Sequence, residues 1–83
     1  MKIEEVISLV MAEVGRAEEI HPDWPKDDVR AAAIVAEESG ELVKSVLDYE
    51  GKNTSRYAII TEAMHTAATA IRFLKNFEEK QNV

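Results

Sequence analysis

Cysteine is missing from this 83-residue chain, which removes disulfides and thiolate chemistry together. Glycine occurs three times and proline twice, so few points force a helix to stop. Both prolines fall in one stretch, His21-Pro22-Asp23-Trp24-Pro25-Lys26. Basic side chains number 10 against 16 acidic ones, for a net charge of −6, and they form no cluster. Binders of nucleic-acid polymers carry a basic face, so that class is excluded. A phosphate substrate stays compatible with an acidic chain when divalent cations stand between the two. No apolar run approaches the roughly 20 residues needed to cross a bilayer. Met1-Lys2-Ile3-Glu4-Glu5 puts acids where a signal peptide carries positive charge ahead of a long apolar run. The expectation is a cytoplasmic protein with no membrane role. No segment alternates apolar and polar residues between turns, which argues against β-sheet.

Such a length makes one domain, residues 1–83, and no more. A domain this small buries only about 60% of the surface that its unfolded chain exposes. Disulfides, a metal or a partner subunit are the usual remedies. With cysteine absent, a metal and an oligomer are both expected.

What the chain does contain is helical periodicity. Ile3, Val6, Ile7, Val10, Val14 and Ala17 recur at three- and four-residue steps, which predicts a helix from about Ile3 to Ile20 with one apolar face. Asp27 or Asp28 suits the start of a second helix, since aspartate accepts from free amides there and complements the dipole. That helix is expected to end near Glu50, with Gly51 taking the left-handed C-terminal conformation. Asn53, Thr54 and Ser55 are all good caps for a third helix reaching about Glu79. The expected fold is all-α: a small antiparallel bundle of three main helices, completed by oligomerisation.

The pattern breaks in two places. At roughly 100° per residue, Ala31, Ile34, Val35, Leu42 and Val46 share an apolar arc of the second helix. Glu38 falls inside that arc and Glu41 lies on its edge. A lone carboxylate in a core is unfavourable by several kcal/mol or takes up a proton. On the third helix, Ile59, Ala63, Thr66, Ala70, Phe73 and Phe77 form the main stripe. Glu62 sits beside it and His65 follows one turn on. A divalent cation between the helices removes the repulsion, because hard cations prefer carboxylate oxygens. Residues at i and i+3 share a helical face, so each helix acts as one jaw. Acidic pairs at this spacing are also common on solvated surfaces, and spacing alone leaves both readings open.

The segment Ala36-Glu37-Glu38-Ser39-Gly40-Glu41-Leu42 resembles the E-E-x-x-E motif of the all-α nucleoside-triphosphate pyrophosphatases, in particular the MazG-like family. Glu62-Ala63-Met64-His65 stands where that family has E-x-x-D. The likeness runs from about Trp24 to Leu74. It implies Mg²⁺-dependent hydrolysis of nucleoside triphosphates between the α and β phosphates, giving a monophosphate and pyrophosphate and guarding the nucleotide pool. It also implies Glu38, Glu41 and Glu62 as metal ligands, with His65 in the place of the family's aspartate. Imidazole suits transition metals better than Mg²⁺, so the departure points to Mn²⁺, to a weaker site or to lost catalysis.

Glu37, turned from Glu38 by about 100°, is the candidate acceptor of a water proton. Trp24 is the candidate surface for stacking a base. Lys44, with Arg72 and Lys75, is a candidate phosphate contact. Ile60, Met64, Ala67 and Ile71 give the third helix a second apolar face, and exposed apolar faces mark interfaces. A homodimer or homotetramer is expected, as the resemblance also implies. The alternative is a catalytically degenerate helical oligomer that binds nucleotide or serves as a structural module.

Overall fold

A computed structural model describes residues 1–81. Three helices account for nearly all of them: α1 (Ile3–Ile20), α2 (Asp28–Glu50) and α3 (Arg56–Gln81). The all-α expectation holds. Asp27 caps α2 by accepting from the Val29 amide at 2.9 Å. Ser55 precedes α3, its carbonyl accepting from Ala58 N–H at 3.1 Å.

One local expectation needs correction. Gly51 does not adopt the left-handed conformation; its φ is −79°. Lys52 does, at φ 63°. Gly51 N–H still bonds Leu47 O in helical fashion, and the chain reverses one residue later. Asn53 N–H reaches Asp48 O at 2.8 Å and Lys52 N–H reaches Tyr49 O at 2.9 Å. This pair of bonds closes a Schellman motif whose left-handed position falls on lysine.

The packing explains where the apolar residues went. α3 touches both α2 and α1, whereas α1 and α2 make no close backbone contact among the described residues. α3 is therefore the floor and the other two are walls. Its most buried line is Ala68 and Arg72, which lies on the side of the helix away from the main stripe expected from the sequence. Ala63, placed in the main stripe, is exposed. On α1, Val10 and Val14 are buried, while Ile3 and Ile7 of the expected face lie outward at 65% and 55% exposure. A helix that meets one neighbour needs only a narrow apolar strip.

The result is an open molecule. Its radius of gyration is 14.0 Å, against roughly 12 Å for a compact chain of this length. Its surface is 6134 Å², about 1,100 Å² above the roughly 5,000 Å² typical of this mass. Buried apolar residues are Val10, Val14, Ala31 and Ala68, a very small core. Among the described residues no helix is long and apolar enough to cross a membrane.

Candidate metal centre

Glu38 on α2 and Glu62 and His65 on α3 each present a ligand atom within 4.8 Å of the others. All three are half-buried. His65 Nδ1 lies 3.8 Å from Glu62 Oε2 and 4.0 Å from Glu38 Oε2. Register between the helices is fixed beside the cluster by Thr66. Its hydroxyl is 3.1 Å from the Glu38 carbonyl and 2.8 Å from the Glu62 carbonyl. A side chain one residue from His65 thus ties α3 to the backbone of Glu38.

The donor set fits a divalent cation. Neighbouring ligands on an ion with bonds of about 2.1 Å lie roughly 3 Å apart, so the Glu62 and Glu38 oxygens, at 3.8 and 4.0 Å from His65 Nδ1, would each have to close by about an ångström. Two carboxylate oxygens and an imidazole nitrogen suit borderline metals better than purely hard ones.

A third acid joins from α1, one that sequence reasoning missed. Glu13 Oε2 lies 3.4 Å from His65 Nε2. Metal-bound histidines typically give their other ring N–H to a carboxylate, which fixes tautomer and orientation. Glu13 occupies that place. Arg16 holds it there, with Nε donating to Oε1 at 2.9 Å and Nη2 to Oε2 at 2.6 Å. The Glu13 side chain is only 13% exposed. The hydrogen bond from Arg16 keeps its carboxyl below the ordinary value of 4.5, partly opposed by burial and aided by the charges of Arg16 and His65.

The other expected residues separate into two hollows. A cleft of about 290 Å³ lies between the walls, lined among others by Glu13, Glu38, His65, Trp24 and Arg72. Trp24 belongs to it, but the Arg72 guanidinium lies 5.1 Å over its ring. Glu41 is not part of the cluster; with Lys44 and Glu62 it lines a neighbouring hollow. Lys44 bonds Asp48 at 2.8 Å and Lys75 bonds Glu18 at 2.8 Å. Glu37 is exposed. Arg72, a candidate phosphate contact, is buried. No family model, no curated protein and no solved structure matches this chain.

Proposed function

We propose that this protein is a metal-dependent nucleoside-triphosphate pyrophosphohydrolase, releasing a monophosphate and pyrophosphate. The observation that carries it is the convergence of Glu38, Glu62 and His65 at one edge of a cleft, with Glu13 behind the imidazole. The motif likeness around Glu37, Glu38 and Glu41 supplies the reaction class. Mg²⁺ is the family's metal; His65 tilts the set toward Mn²⁺. A bound cation there supplies Lewis acidity and lowers the pKa of water.

The chain's own residues divide the remaining tasks. Glu13 holds the imidazole in one orientation. Thr66 keeps Glu38 level with Glu62. Glu62 borders both the cluster and the hollow that contains Glu41 and Lys44, so the triphosphate has a path from one to the other. Water attacks the α-phosphorus, the bond to the α–β bridging oxygen breaks, and pyrophosphate leaves with that oxygen. Glu37 takes the water's proton, an assignment that rests on its place beside Glu38. Trp24, one face covered by Arg72, offers its other face to a base. A second copy of the chain covers the excess surface and makes the molecule a homodimer or homotetramer.

A second reading has one observation in its favour. His65 lies within 4.0 Å of carboxylate oxygens of Glu13, Glu38 and Glu62, so the acids share a polar partner with no metal, as a degenerate bundle or nucleotide binder requires. The deciding experiment is pyrophosphate release from a panel of nucleoside triphosphates with Mg²⁺ and with Mn²⁺, for the natural chain and Glu38→Gln. Release that vanishes in the folded variant supports hydrolysis. Unchanged turnover in Glu38→Gln, or none from the natural chain with either metal, refutes it.

A further inference from the structure

Arg72 is a buried cation that forms no ion pair among the described residues. It is 7% exposed. One N–H, on Nη2, donates to the His21 carbonyl at 2.6 Å, and the guanidinium lies over Trp24 at 5.1 Å. Nε is buried with no acceptor. Every ion pair formed among the described residues engages other cations. Glu18 feels the Arg72 charge, but its Oε2 is bonded to Lys75. Glu13, the α1 acid that lines the cleft, is held bidentately by Arg16. A carbonyl and a ring face satisfy only part of a guanidinium, and a buried charge is strongly unfavourable until a counter-charge joins it.

Arg72 lines the same cleft as Glu38 and His65. Seven residues, or about 10 Å of helix, separate it from His65 along α3. Ala68 and Thr69 form the floor between them, and both side chains are small. The cleft thus holds Glu38 and His65 at one place along its floor and Arg72 at another, with Arg16 and Asp23 also in its lining. Guanidinium groups recognise phosphate oxygens through paired N–H donors, and Trp24 stacked against this one fixes its plane.

We propose that Arg72 anchors an oxyanion subsite in this cleft, which takes a phosphate group of a small phosphorylated ligand. The subsite needs no metal. Only the placement of the ligand's other end at Glu38, Glu62 and His65 rests on the reading above.

The test is a calorimetric titration of the full chain with inorganic pyrophosphate in EDTA, so that a failure of the metal site leaves the result intact. Arg72→Lys is expected to weaken binding about tenfold or more, since the charge remains but the paired donors are lost. Arg56→Lys, at an exposed position, is expected to leave it unchanged. Circular dichroism establishes that Arg72→Lys is folded. Should it not fold, the Nε–H resonance of Arg72 in the natural chain is followed instead, and it is expected to shift to saturation with pyrophosphate. Equal affinity in the natural chain and Arg72→Lys overturns the proposal. So does an unmoved Nε–H resonance, an absence of binding at millimolar pyrophosphate, or equal binding of malonate. If Mn²⁺ fails to bind while pyrophosphate binding still depends on Arg72, the metal reading falls and the subsite stands.

Discussion

Glu13→Gln separates a carboxylate that orients a ligand from one that merely pairs with its neighbour. The substitution keeps size and one acceptor oxygen while removing the charge opposite His65 Nε2, 3.4 Å away. Loss of such an outer partner typically lowers metal affinity by 10–100-fold, or about 1.4–2.7 kcal/mol. For a domain of this length each kcal/mol moves Tm by about 4–8 °C. At Mn²⁺ well above both dissociation constants, the metal-induced rise in Tm is therefore expected to shrink by roughly 5–20 °C. The variant also loses the charged pair with Arg16, so its metal-free Tm is measured first and only the metal-dependent increment is compared. Glu19→Gln, exposed on the same helix, is the control. An increment in Glu13→Gln equal to that of the natural chain refutes the role given to Glu13.

Other outcomes follow from local geometry. A left-handed lysine is strained by about 1–2 kcal/mol and glycine returns about 0.5–1 through unfolded-state freedom, so Lys52→Gly is expected to stabilise by about 0.5–1 kcal/mol in urea unfolding; a loss of stability counts against the turn described. Glu13 and Glu18 both sit below their ordinary carboxyl value of 4.5, chiefly through hydrogen bonds from Arg16 and Lys75. Their charged forms favour the fold, so their contribution is complete above that value and fades as pH falls through the lower folded values. The urea midpoint is expected to fall on acidification below about pH 4.5, with a shallower fall in Lys75→Met; an equal slope refutes the Glu18 share. Sedimentation at micromolar concentration is expected to give a dimer or larger, and Ile7→Glu or Leu47→Glu to shift it toward monomer, since both side chains are more than half exposed. A natural chain that sediments as a monomer removes the proposed interface.

Much of the fold was legible because helix periodicity and caps act locally. α1 ends where expected, and α2 starts at one of the two aspartates named. The cluster of Glu38, Glu62 and His65 was legible because each is polar on or beside an apolar arc, which few residues tolerate without a partner. Glu41 was named from the motif likeness, and three residues advance a helix by about 300°. The remaining 60° is enough to aim it into the next hollow. His65 has the same offset from Glu62, and its ring spans the gap. Glu13 was illegible because Glu13 and Arg16 look like an ordinary surface pair, and nothing local says which helix lies opposite. Arg72 was named as a candidate phosphate contact, but its burial was illegible, because its neighbours His21 and Trp24 come from about 50 positions earlier. The position of the left-handed residue depended on whether Gly51 continued the helix, a choice of one peptide that composition does not decide.

Because α1, among the described residues, packs on α3 and not on α2, it can open as a unit while the α2–α3 hairpin persists. Backbone amides of α1 should then exchange with solvent sooner than those of α2, and with a common opening energy. Each such opening takes Glu13 and Arg16 away from His65 and turns the cleft into a one-walled groove. A ligand held in the cleft would slow that exchange along the whole of α1, well beyond the residues it touches. The first helix would in this way act as the door of the site, hinged at the segment that carries both prolines.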